Sequence, residues 1–382
     1  MKRTWFILLL CIQALGITAR SNKELYKTLD SLISCYDKLT AEEEQRINSI
    51  KQSMGNITLT PEQTYDLNIR LYDEYMAYRF DSAYYYINKN VTALRGTADH
   101  QRFAASAIRM AHILSVSGLF GRVHNLLGEI NPDSLNDEQK IAYYNQQSEL
   151  NLYRSEMAQY TDYFTEYIQQ AQYYRQLIIQ IAPQNSQDYV FNQATYISEL
   201  GDNDKAIEML ESNLLQLQEG TRDYSIVTST LAYFYHKKGD VSQQERYLLL
   251  SAISDERGAI RENNSLRSLA EILMELGDND EAYHYLFQAI SEAKFYGSRL
   301  RMMQVGRMAP QIMQLYDQKR SQTQRNTYIY LGIISLISLV LLLIMYDTLK
   351  LYRKKQAASK KIEEMNQELT AQNMQILGTN NE

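Results

Sequence analysis

Three short turns constrain this chain more than any other feature. LGDNDKA, KKGDVSQ and LGDNDEA place Gly201, Gly239 and Gly277 at a constant spacing of 38 residues. The same positions recur around each glycine. Ala194, Ala232 and Ala270 stand seven residues before it, and Leu210, Leu248 and Leu286 nine after it. Five after it stand Ala206, Gln244 and Ala282, with Gln244 as the departure, and twelve or thirteen after it Asn213, Ala252 and Ala289. Small residues at fixed distances from a turn let two antiparallel helices cross closely, and a constant period of tens of residues marks stacked units. The aspartates and asparagines after Gly201 and Gly277 supply helix-capping oxygens.

A repeated helix-turn-helix with this placement of small and apolar residues is a tetratricopeptide-like unit. Weaker copies precede the three. In FAASAIRMAHILSVSGLFGRVHNLL, Gly118 takes the turn, with Ala111 seven before and Leu127 nine after. Leu71, Ala83 and Ile87 align a further copy without a turn glycine, and the tyrosine-rich stretch 139–183 also lacks one. About six helical hairpins are expected, three regular and three degenerate. Only four prolines and fifteen glycines interrupt the 382 residues, which favours long helices over strands. The 31 tyrosines suit half-buried helix faces, with ring inside and hydroxyl outside.

Two membrane signals bracket the repeats. Met1-Lys2-Arg3-Thr4 followed by an apolar run from Trp5 to about Ile17 reads as a secretory signal peptide ending near Gly16 or Ala19. After its removal Cys35 is the one cysteine left, so no internal disulfide forms, and the expectation is a thiol packed in the core. From Tyr328 to Tyr346 nineteen residues carry no charge, enough as a helix to span roughly 28 Å of hydrocarbon. Tyrosines flank both ends, where amphipathic rings prefer the interface. Lys319, Arg320 and Arg325 precede the span, whereas Lys350, Arg353, Lys354, Lys355, Lys360 and Lys361 follow it. The excess of basic residues places the C-terminus in the cytoplasm. The expected organisation is a signal peptide at 1–19, a periplasmic solenoid at 20–327, a spanning helix at 328–346 of the inner membrane and a cytoplasmic tail at 347–382.

In the tail, Ile362, Met365, Leu369 and Ile376 follow alternating spacings of three and four, interrupted by Gln372, so a short coiled coil and a homodimer through it are expected. The basic residues before it face anionic lipid rather than nucleic acid, and a net charge of -6 gives no general attraction to a polyanion. His100, His112, His124, His236 and His284 show no metal-ligand spacing, and no catalytic or nucleotide-binding fingerprint occurs. No enzyme, metal or cofactor is expected.

An exported N-terminus, the LYDEY and DSAYYY segments at 71–86, degenerate hairpins, one late span and a coiled tail together resemble a group of Bacteroidota membrane regulators. The resemblance implies a periplasmic sensor or partner-binding region and a cytoplasmic domain connected to gene regulation. Those regulators continue past the coil, so this chain, ending at Glu382, is expected to lack the output domain.

The expected role is a non-catalytic periplasmic sensor or adaptor that binds a protein or peptide, the alternative being a scaffold for envelope complexes without signalling. In such solenoids the first helix of each unit lines the concave face. Counting back from the turn glycines gives Ile226, Ser229, Tyr233, His236 and Lys237 in one unit and Asn264, Arg267, Glu271, Met274 and Glu275 in the next. Tyr233, His236, Lys237, Arg267 and Glu271 form the expected partner groove, because aromatic and guanidinium groups anchor extended peptides.

Overall fold

The computed structural model describes residues 22–53, 59–262 and 264–379; the expected signal peptide lies outside the described residues. The chain is all-α among these residues and divides into two compact units, Met1–Met313 and Gln314–Glu382.

In the first unit, helix α1 (22–34) and α2 (Tyr36–Ser53) precede six hairpins. These are α3 (Pro61–Tyr75) with α4 (Phe80–Leu94), α5 (His100–Val116) with α6 (Phe120–Gly128), α7 (Asp137–Met157) with α8 (Tyr163–Ile181), α9 (Gln187–Glu199) with α10 (Asn203–Leu214), α11 (Arg222–Lys238) with α12 (Val241–Arg257), and α13 (Ser265–Leu276) with α14 (Asn279–Tyr296). A short α15 (Arg299–Gly306) ends the series.

The turns form as the glycine spacing requires. Gly239 and Gly277 are left-handed C-caps at φ 75° and 82°, a conformation that a Cβ disfavours. The N–H of Asp240 donates to the Tyr235 carbonyl at 3.0 Å and that of Asp278 to Leu273 at 2.9 Å, closing the paired bonds of a Schellman turn. Gly118 and Gly201 make the same turn, through Leu119 to Leu114 and Asp202 to Ile197. The aspartate after each of Gly201, Gly239 and Gly277 then starts the next helix by accepting the N–H three residues on. Each turn thus satisfies orphan carbonyls of one helix and orphan amides of the next.

The small positions sit where the helices cross. Ala83, Ala111, Ala194 and Ala270 are fully buried and Ala232 nearly so, with Leu127, Leu210, Leu248 and Leu286 filling the spaces beside them. Gln244, the departure in the pattern, is only half-buried. In the α7–α8 hairpin, which lacks a turn glycine, Tyr160 takes the left-handed turn position at φ 72° and is 96% exposed. Cys35 departs from expectation. It is exposed at the break between α1 and α2, where Leu29 and Ile47 on the two helices take the buried positions instead.

The solenoid returns on itself. Tyr296 donates to the Met76 carbonyl at 2.8 Å, Ser298 to Val116 at 2.5 Å, and Gln304 to Glu156 at 2.9 Å, so the last hairpin and α15 meet the turns of the first two hairpins and the end of α7. The N-terminal helices add to this closure. Tyr26 stacks on Tyr285 and donates to Glu245, and the Tyr285 hydroxyl donates to Asp30 at 2.8 Å.

The second unit consists of the greater part of α16 (Ala309–Thr379). This helix holds one stretch long and apolar enough to cross a membrane, within Tyr316–Met374 and including 328–346. Ile362, Met365 and Leu369 of the expected seam are exposed on it.

Two substitutions test the register. Ala270→Trp places a ring where two helices touch and is expected to cost about 1–3 kcal/mol by overpacking. Tyr160→Gly relieves a left-handed side chain that contacts solvent, and a gain of about 0.5–1 kcal/mol is expected after the entropy of a glycine is counted. Urea unfolding of the two variants should move the midpoint in opposite directions.

Candidate functional site

The returning solenoid encloses an open polar cavity of about 520 Å³. Its walls are the first helices of successive hairpins, with His112 on α5, Glu149 on α7, Asn192 on α9, and Arg222 and Ser229 on α11. The segment joining α12 to α13 contributes Ile260 and Glu262, and α15 contributes Arg301. Most of the lining residues carry amides, hydroxyls or charges, and Phe191, Ile226 and Leu152 supply apolar contact.

Five charged residues from five elements meet at one wall. His112 Nδ1 lies 2.8 Å from a Glu149 carboxylate oxygen, and its Nε2 lies 3.8 Å from Glu262 and 3.4 Å from Arg222. Glu262 accepts from Arg301 at 3.1 Å and lies 3.7 Å from Arg222. Burial alone would raise the Glu262 pKa. The nearby His112 imidazole, with the charges of Arg222 and Arg301, outweighs it and holds the carboxyl at about 2. Burial would lower His112, but the charge and hydrogen bond of Glu149, with the Glu262 carboxylate nearby, raise it to about 9 against the repulsion of Arg222. At neutral pH the cluster is therefore three cations around two carboxylates. Asp255 shows the opposite case. Burial, which dominates, pushes it up to about 7 despite the hydroxyls of Ser225 and Ser265 beside it.

The family described as SusR N-terminal TPR domain matches residues 33–307, most of the chain. The chain belongs to this family. SusR is a Bacteroidota regulator, and TPR domains generally mediate protein–protein interaction. Among solved structures the chain is similar to TTC0263, a thermophilic TPR protein of Thermus thermophilus, at 16% identity and a TM-score of 0.40, over 56% of this chain and 100% of that one. No curated protein matches.

In this SusR-family domain none of the five expected groove residues lines the cavity. Tyr233 is 58% exposed on α11. Lys237 beside it donates to the carbonyl and hydroxyl of Ser198 at 2.6 and 2.9 Å, and His236 pairs with Gln244 at 3.3 Å. Arg267 is bound to Glu271 one turn along α13. The register nevertheless connects the two places. Ile226, Ser229 and Asn264, which precede these residues at helical spacing, do line the cavity.

The charged cluster escaped the sequence reading. Glu262 and Arg222 sit at the ends of connecting segments, where charge ordinarily means solvent, and Arg301 lies beyond the last repeat. His112 alone carried a signal, next to Ala111 inside the apolar IRMAHILSV.

Because the folded pKa of His112 lies above the ordinary 6.5, its contribution to stability is complete below pH 6.5 and is lost as pH rises through about 9. The shift corresponds to about 3 kcal/mol. Unfolding free energies of the wild type should fall by that order between pH 6.5 and 9.5 relative to His112→Gln, whose curve lacks the step. Parallel curves would mean that His112 is not charged in the folded protein.

Proposed function

We propose that this protein is a membrane-anchored, non-catalytic sensor or adaptor, with the TPR unit in the periplasm, α16 crossing the inner membrane and the C-terminal tail in the cytoplasm. The observation that carries the reading is a TPR unit closed around a polar cavity, in a chain that also holds a helix of membrane-crossing length. A protein or peptide segment is the occupant proposed. The cavity presents paired hydrogen-bonding groups suited to an extended backbone, and the same helical stripes continue outward to Tyr233, His236 and Lys237 on α11 and Arg267 and Glu271 on α13. Among these, Tyr233 offers the largest exposed aromatic surface for an anchor. Lys350, Arg353, Lys354 and Lys355 meet anionic lipid at the inner leaflet, and the seam of Ile362, Met365 and Leu369 pairs with a second copy.

Topology is tested by reporters. One fused after Glu382 is expected to be active in the cytoplasm and one inserted near Gln318 in the periplasm; the reverse pattern overturns the reading. The binding surface is tested by comparing partners recovered from envelope extract by the wild type, by Ser229→Trp, which fills the cavity, and by Tyr233→Ala/Arg267→Ala, after equal helicity is confirmed. Loss of the same partners in both variants is expected. Identical recovery by all three proteins would remove the concave face as the binding surface.

A further inference from the structure

The segment 258–262 between α12 and α13 makes more distant contacts than any helix of the regular repeats requires. The N–H groups of Arg261 and Glu262 both donate to the Ala77 carbonyl, in the turn between α3 and α4, at 2.7 and 3.0 Å. The Arg261 side chain is fully enclosed, paired with Glu256 at 2.7 Å and Glu292 at 2.9 Å, and its guanidinium stands 4.2 Å from the centre of the Tyr36 ring. Glu262 reaches His112, Arg222 and Arg301. Five residues therefore touch α2, the first hairpin, α5, α11, α14 and α15.

The segment is also held under constraint. A Cβ on Gly258 would stand 2.2 Å from the Gly220 carbonyl oxygen, so the chain leaves α12 through a gap that admits no side chain. Ala259 follows at φ 50°, a left-handed conformation that is strained for any residue with a Cβ. Such a backbone persists only where surrounding contacts fix it.

The surfaces joined by this segment meet through a mixture of aromatic and polar contacts. The buried core of the first three hairpins takes one member from the far side, Ala259, with Phe295 packed against it. Beside them Tyr78 meets Phe295 and Phe80 meets Tyr296 edge to face, with ring centres 5.2 and 6.4 Å apart, and hydrogen bonds complete the closure: Tyr296 to Met76, Ser298 to Val116, Arg301 to Tyr153 and Gln304 to Glu156. α15 meets α5 at few positions compared with the helices of one hairpin, and so sparse a contact opens more readily than a packed helix pair.

We propose that residues 258–262 are a latch, with Glu262 as its bolt, and that the last hairpin and α15 release from the first three hairpins as one body when Glu262 loses its cations. Facing the carboxylate are His112 from α5, Arg222 from α11 and Arg301 from α15. Glu149 and Tyr153 from α7, Tyr72 from α3 and Tyr296 from α14 lie close enough to act on these groups electrostatically. Released, the segment lets Ala259 leave its left-handed conformation and opens the cavity along the wall that Glu262 and Arg301 form. The latch stands whether or not the cavity binds a partner.

Hydrogen exchange on the full chain in detergent tests it. In Glu262→Gln, which keeps shape and removes charge, the amides of Arg261 and Glu262 and those of α15 are expected to exchange at least ten-fold faster, while α9 and α10 keep wild-type rates. Arg301→Gln breaks the same bond from the other side and should give the same map. Unchanged exchange at Arg261 and Glu262, acceleration spread evenly over all six hairpins, or failure of both variants to fold would each make the cluster part of the general fold and overturn the latch.

Discussion

One buried carboxylate ties the closure of the TPR unit to three separate elements. Taking an ionised Glu262 out of water costs several kcal/mol after relaxation, and only close cations on several sides restore that loss. Arg222, Arg301 and His112 meet this need, but they come from α11, α15 and α5, so the charge is stable only when those three elements are together. Hydrophobic packing between neighbouring hairpins builds the solenoid locally. The ion cluster adds a long-range condition that local packing lacks.

This condition explains the polar character of the cavity. Stacked hairpins bury their apolar residues between neighbouring helices, and the concave face is left to whatever the first helices present outward. Where the solenoid returns on itself, that face becomes partly enclosed while most of its lining residues stay polar. Enclosed polar groups need partners, and several here find one another: Ser251 with Ser265, Asn192 with Asn145, and Gln146 with Ser115. A ligand entering the cavity must therefore replace existing hydrogen bonds. Selectivity follows, because a molecule unable to replace them leaves buried groups unpaired.

The hairpins were legible because they are local. Glycine at the turn, alanine seven residues before it and leucine nine after it are consequences of backbone geometry and close helix crossing, and both act within a single unit. The degenerate α7–α8 pair shows how far the pattern can relax, since Tyr160 supplies the turn without a glycine. The cavity wall was not legible for the complementary reason. Glu262 and His112 are 150 positions apart in sequence and meet only through the curvature of the whole stack. Nothing in the polar run REN at 261–263 distinguishes an enclosed carboxylate from one in solvent. Cys35 failed in the same way, because a thiol in an amphipathic stretch reads as buried until the break between α1 and α2 is known.

For the proposed sensor, enclosure alone transmits nothing. An occupant that touches the latched and released arrangements equally leaves their ratio unchanged, however tightly it binds. The difference must come from residues whose surroundings change between the two. Arg222 meets that requirement: its side chain is 35% exposed, it lines the cavity, and its nearest carboxylate is Glu262 at 3.7 Å. A carboxylate or backbone carbonyl of a bound segment placed on Arg222 competes with Glu262 for the same guanidinium, and so favours release in proportion to the contact it gains. Arg301 differs, being 8% exposed and hydrogen-bonded to Glu262 at 3.1 Å and Gln304 at 2.9 Å. It strengthens the bolt and answers little to an occupant. The same wall therefore separates the part that responds to binding from the part that fixes how much binding is needed.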